Sequence, residues 1–181
     1  MPCNLSAGRQ EVCKESIGGI QGVYFINYVT GSFTKNVSGE VTAVPSGSVL
    51  YFYTLKGSSA YTETVTTSRD NGTTFFSQEL ILNLKKLTNE MTTQLKLMAY
   101  GRPQIIVWTN NGDALLVGEQ LGADVTAGTI STGAALGDLY GYSVTFTGME
   151  KLPAAFISGS TTANALGGLT ANYSIVTGSA A

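Results

Sequence analysis

Two carboxylate pairs are the nearest this chain comes to acid–base machinery: Asp113 with Glu119, and Asp124 with Asp138. A catalytic acid and base need surroundings that drive their pKa values apart. Nothing near either pair marks it for that task, and solvated loop carboxylates account for both. The chain has no histidine. Its many Ser and Thr hydroxyls therefore lack the usual base that activates a nucleophile, and no Ser-x-x-Lys motif takes its place. The glycines spell neither a Walker loop nor a dinucleotide fingerprint. Asn110-Asn111-Gly112-Asp113 offers oxygen ligands of the kind calcium takes, but a hairpin turn explains the same residues. Cys3 and Cys13 are too few for a zinc site. They are expected as free thiols in a reducing cytoplasm, with a disulfide after release from a cell as the alternative. Trp108 and the tyrosines would make an aromatic platform, yet Trp108 sits inside an apolar run and reads as core or sheet cover. No enzymatic activity, cofactor or metal is expected.

Composition points the same way. Charged residues make up only 12% of the 181, and the net charge is −2 with a pI of about 5.0. The ten Lys and Arg are scattered, with only Lys85 and Lys86 adjacent. A duplex-gripping protein shows a basic stripe instead. A weakly negative body repels phosphates and can contact DNA without holding it. The N-terminus shows no basic segment followed by an apolar run, and no window approaches the roughly 18 apolar residues of a membrane helix. No membrane association is expected. The sequons at Asn4, Asn36, Asn71 and Asn172 are what a Ser- and Thr-rich chain produces by chance.

The hydrophobic patterning is that of a mainly β protein. Residues 1–157 read as one β domain with an N-terminal arm over 1–20, and 158–181 as a small-residue segment. That segment is either part of the same domain, mobile, or ordered only against a neighbouring chain. Residues 23–29 and 49–55 have strand length and composition, and the bulky second run suggests a strand covered on both faces. Residues 31–39 make a loop or weak hairpin. Residues 105–108 and 114–117 flank Asn-Gly, a strong short hairpin signal. From 118 to 137 the strand pattern is weak. Residues 140–147 alternate, with Tyr142, Val144 and Phe146 on one face, and 154–157 form a last short apolar piece. One helix is predicted over 88–99. Leu87, Met91, Leu95 and Met98 mark its core face, Thr88 its N-cap, and Gly101 and Pro103 its end.

Between these lies a long polar hairpin. Its arms run over 60–68 and 73–84, and Asp70-Asn71-Gly72 forms the tip. Thr62, Thr64 and Thr66 share one face; Glu63, Val65 and Thr67 share the other. Leu80, Leu82 and Leu84 seat its base on a core. A Thr-rich ribbon of this kind is marginal alone, and its edges need covering or pairing. Tyr61, Thr62, Glu63, Thr64, Val65, Thr66, Asn71, Gly72 and Phe75 are therefore the candidate assembly residues, and a homo-oligomer is the expected partner.

The order strand, long hairpin, helix, tight hairpin and alternating return strand resembles the tail tube (major tail) proteins of tailed bacteriophages. The run Gly137-Asp138-Leu139-Tyr140-Gly141-Tyr142-Ser143-Val144-Thr145-Phe146-Thr147-Gly148-Met149-Glu150, continuing to Pro153-Ala154, carries most of that likeness. The likeness spans residues 45–157. The opening, with Cys3 and Cys13 ahead of Gly18-Gly19-Ile20, is similar to structural proteins of phages that infect Bacteroidetes. The resemblance implies a β-sandwich or barrel with one flanking α-helix. It implies hexameric rings stacked into a tube, contacts with other tail proteins, and DNA passing through the lumen without specific binding. It also implies synthesis in the host cytoplasm and residence in the virion tail. In that setting Glu63, Asp70 and Glu79 are the candidate lumen acids, with Glu63 and Glu79 favoured because they lie on strand arms. The alternatives are a monomeric or trimeric β-sandwich binding module, such as a capsid decoration or adhesin-like protein, and the inner tube of a contractile injection machine.

Overall fold

The computed structural model describes residues 7–10, 14–30, 33–170 and 172–178. Cys3 and Cys13, and with them the thiol-or-disulfide question, lie outside the described residues. The elements are β1 (Ile20–Ile26), β2 (Thr34–Lys35), β3 (Val41–Ala43), β4 (Val49–Thr54), β5 (Ala60–Ser68), β6 (Thr73–Lys85), α1 (Asn89–Tyr100), β7 (Gln104–Thr109), β8 (Ala114–Val117), β9 (Asp124–Ser131), β10 (Gly141–Glu150), β11 (Ala155–Phe156) and β12 (Ser174–Thr177). One sheet has the order β11-β8-β7-β1-β4-β12, the second β5-β6-β10-β9, and β2 pairs with β3 alone.

The first sheet is built from nearly continuous apolar runs, as strands buried on both faces require. Its Val23, Phe25, Ile105 and Val107 meet Leu80, Leu82, Val144 and Phe146 of the second sheet in one core. Its Tyr24, Ile26, Leu50, Ile106, Trp108 and Leu116 point the other way, into a second core with Phe33, Val41 and Val44. The result is a mainly β sandwich with one flanking helix. Neither sheet closes on itself, so the barrel half of the expectation is not met within one chain.

Three expectations are settled or corrected. First, of the alternatives left open for the C-terminal segment, residues 158–170 and 172–178 pack as part of the same domain. Ala165 and Leu166 are buried in the second core, with Leu169 and Tyr173 packed against it. The Trp108 indole N–H donates to the Thr161 carbonyl at 3.0 Å, and β12 pairs in parallel with β4. Small residues are what let this segment lie flat on an already bulky sheet. Second, the weakly patterned stretch after Gly118 contains a full strand, β9, paired along β10. Third, the opening strand begins and ends earlier than 23–29. Gly22 lets it start at Ile20, because a side chain there would come within 2.7 Å of the Phe52 ring, at a point where the β1–β7 register shifts. Gly141, within the run that carries the phage likeness, has a similar reason: a Cβ would collide with the Leu84 carbonyl.

The helix starts where Thr88 predicts. The Thr88 hydroxyl accepts the Met91 N–H at 3.1 Å, and the Gly101 N–H closes the far end on the Leu97 carbonyl at 3.0 Å. Tyr142, fully buried, ties the helix to the sandwich. Its hydroxyl donates to the Thr88 carbonyl at 2.9 Å, accepts the Thr88 N–H at 3.2 Å and lies 2.8 Å from the Thr92 hydroxyl. Leu87, Met91, Leu95 and Met98 do face the inter-sheet core, but from its margin, half-buried rather than enclosed. Leu95→Asp is accordingly expected to cost about 1–3 kcal/mol. Lys96→Ala, on the exposed side, should stay within about 0.5 kcal/mol. Thermal unfolding compares them, and equal shifts would place the helical face wrongly.

Candidate assembly surface

The polar hairpin forms as predicted. Gly72 takes a left-handed φ of 62° at the tip, where a side chain is disfavoured, and the Asn71 N–H donates to the Ser68 hydroxyl at 3.3 Å. The register pairs Tyr61 with Leu80, Thr62 with Glu79, Glu63 with Gln78, Thr64 with Ser77, Val65 with Phe76 and Thr66 with Phe75. Because strand side chains alternate, Thr62, Thr64, Thr66, Phe75 and Glu79 share the outer face. Tyr61, Glu63 and Val65 share the face of Leu80, which is buried in the core.

That register separates the candidate acids. Glu63 is not available to a lumen. Its carboxylate accepts the Gln78 side-chain N–H at 3.1 Å and the Ala154 backbone N–H at 3.0 Å. Gln78, itself buried, accepts the Gly118 N–H at 2.9 Å. Glu63 thus anchors the hairpin to the sandwich from the core side. Burial and the adjacent Glu63 carboxylate push the Tyr61 phenol above its ordinary range. Asp70 is exposed at the tip, and Glu79 is exposed on the outer face.

The outer face runs on across β10 and β9. Thr147 lies between Glu79 and Asp124 in register, so Thr62, Glu79, Thr147 and Asp124 form one row across all four strands. Neighbouring strands are about 4.8 Å apart, which sets the two acids roughly 10 Å from each other. The Thr126 and Thr147 hydroxyls lie 2.9 Å apart on the same face. The row was hidden in the sequence because β9 was. Asp124, weighed only as half of a catalytic pair, belongs to a polar wall. Lys85 stands at the wall's far end, as the last residue of β6.

Both outer strands of this sheet are open. Among the described residues β5 pairs only with β6, and β9 only with β10. Folded monomers protect such edges with Lys, Pro or bulges. Neither β5 (AYTETVTTS) nor β9 (DVTAGTIS) contains Lys or Pro, and the one register shift in β9 lies near its start.

The chemical candidates disperse. Asp124 is the first residue of β9, paired with Thr147, and Asp138 lies in the loop beyond the other end of the β9–β10 ladder. The Asp138 carboxylate accepts the Ala135 and Ala134 N–H groups at 2.8 and 2.9 Å, and these bonds hold its carboxyl below the usual range. Glu119 is ion-paired with Lys35 at 2.7 Å. Asn110 and Asn111 donate their side-chain amides to the carbonyls of Gly18 and Ile17 at 2.9 and 2.8 Å, fastening the N-terminal segment to the turn. Among the described residues no three metal-ligating side chains converge, and no helix is long and apolar enough to cross a membrane. Buried Glu150 was missed altogether. It accepts the Gln120 and Leu121 N–H groups at 2.9 and 2.8 Å. An acid at the end of an alternating strand, in phase with its apolar positions, was the available signal.

No protein-family model, curated protein or solved structure matches this chain.

Proposed function

We propose that this chain is a structural subunit of a phage-type tail tube, joining copies of itself edge to edge into rings that stack around a DNA-passing lumen. The observation that carries the reading is the open four-stranded sheet with its polar outer wall. Its strands alternate in direction, and four is an even number. Its two edge strands therefore run oppositely. Setting β9 of one copy beside β5 of the next continues an antiparallel ladder without a break, and repetition around an axis closes a barrel. The wall would then face the lumen, bearing Glu79 and Asp124. Hydroxyls and acids dominate that wall, with Lys85 a cation at its far end, so it offers phosphates few counterion-release sites. The six-fold number comes from the family resemblance alone.

A competing reading draws on a groove between β4, the end of β6 and the start of α1, lined by Tyr51, Tyr53, Lys56, Lys85 and Glu90. A monomeric or trimeric binding module would use it for a ligand. Sedimentation and negative-stain microscopy of the purified chain across a concentration series separate the two. Rings or tubes are expected. A stable 18.9 kDa species at every concentration would leave the binding module standing.

A further inference from the structure

We infer that the seam between neighbouring copies is an antiparallel β9–β5 ladder held on its core-facing side by Ile130 of one copy against Val65 of the next. This rests on the ring reading above and assigns its lateral contact. The two residues are exposed in the single chain, at 57% and 58%. An exposed aliphatic residue is ordinary by itself. These two coincide with the sheet's two unpaired edges, one on each, and they share a face. Val65 lies on the side of Tyr61 and Glu63, opposite Phe76. Ile130 lies opposite Tyr142, whose side chain is buried in the inter-sheet core. Along both strands the remaining exposed residues are polar or small.

Face parity restricts the register. Outer-face hydroxyls stay outside only if Ile130 meets Tyr61, Glu63, Val65 or Thr67 of the neighbour, and Thr67 is polar. Tyr61 and Glu63 are already committed inward, the first half-buried and the second hydrogen-bonded to Gln78 and Ala154. Val65 is the position with apolar surface left to cover. Ile130 against Tyr61 would set the strand ends flush, Ser131 beside Ala60. Both that register and the Val65 register are offset from the row of Thr62, Glu79, Thr147 and Asp124, as a closed barrel demands, so the choice between them rests on the apolar pair. The occupant of each edge is therefore a second copy of this chain, recognised by an open ladder of matching direction and one apolar pair.

Within one chain Val65 and Ile130 stand at opposite edges of the sheet, three strand spacings apart across it and, in register, as far apart along it as Phe76 is from Leu84, so roughly 30 Å from each other. A disulfide cannot bridge that distance, so any bond between them joins two copies. The test uses the full chain with Cys3→Ser and Cys13→Ser, adding Val65→Cys and Ile130→Cys together. Mild oxidation is expected to give a reducible ladder of covalent oligomers. Thr64→Cys with Ile130→Cys, on opposite faces, should give none. Tyr61→Cys with Ile130→Cys reports the flush register, and cross-linking there instead of at Val65 overturns the assignment. A variant pair that does not depend on thiols covers misfolding. Val65→Lys should lose assembly while staying folded by circular dichroism, and adding Ile130→Asp should restore it. Tubes seen by microscopy with neither cross-link nor charge rescue would overturn the seam and leave the tube reading intact. A chain that never assembles overturns both.

Discussion

Replacing Phe146 by Ala is expected to remove about 3–5 kcal/mol of folding stability, while Thr145→Ala, one residue earlier, stays within about 0.5 kcal/mol. Phe146 is 1% exposed. Its ring sits 5.4 Å from that of Phe25, so it is the point where β10 of one sheet meets β1 of the other. Truncation would leave a cavity between two sheets whose backbones are fixed by ladders on both sides of β10, and such a site collapses poorly. Thr145 points to the polar wall. Urea midpoints at unchanged slope measure both changes. A large loss at Thr145 with little at Phe146 would mean the strand is slipped by one residue, turning every side chain of β10 to the other face.

That pair of residues also shows what could be read ahead of the structure. The alternation of Tyr142, Val144 and Phe146 is strict, and the strand lies as it predicts. The same holds for the Asn-Gly hairpin, for Thr88 as the helix cap, and for the polar hairpin with Gly72 at its tip. These features are local, and each rests on a few adjacent residues. What escaped was non-local. The segment after residue 157 looks inert because Gly, Ala, Ser and Thr leave no periodic signal, yet Ala165 and Leu166 complete a core whose other members come from strands as distant in the chain as β1, β4, β7 and β8. The strand β9 escaped for a related reason. Its two apolar anchors, Val125 and Ile130, are separated by Thr, Ala and Gly, and only the ladder with β10 defines it. The assembly surface was half legible as a result. The β5 edge was visible, and the β9 edge that would receive it was not. Glu63 is a favoured lumen acid in the sequence because it lies on a strand arm, and arm membership alone does not say which face it takes. The register shows that acids on the two arms need not share a side: Glu79 lies opposite Thr62 on the outer face, and Glu63 lies opposite buried Gln78 on the core side.

The acids that remain on the wall give the prediction with the largest functional effect. Replacing Glu79 and Asp124 together by Lys is expected to leave assembly intact and to convert a non-binding lumen into one that holds DNA. Both positions are exposed and lie on the outer face of the sheet. The substitutions therefore touch neither the inter-sheet core nor the Glu63 anchor. Each subunit would present two cations where it had two anions, in a single row with Thr62 and Thr147. Around a ring the cations would face passing phosphates at close range, and each contact releases counterions. Assembled wild-type protein mixed with linear double-stranded DNA should show no retention at any salt concentration. The double variant should retain DNA at low salt and release it steeply as salt rises, with a log–log slope that grows with the number of phosphates contacted. Glu90→Lys supplies the control. It lies in the first turn of α1, on the core side of the sheet, and would sit outside the tube. Retention by Glu90→Lys equal to that of the double variant would show that DNA binds the outer surface and that the Thr-rich wall does not line a channel.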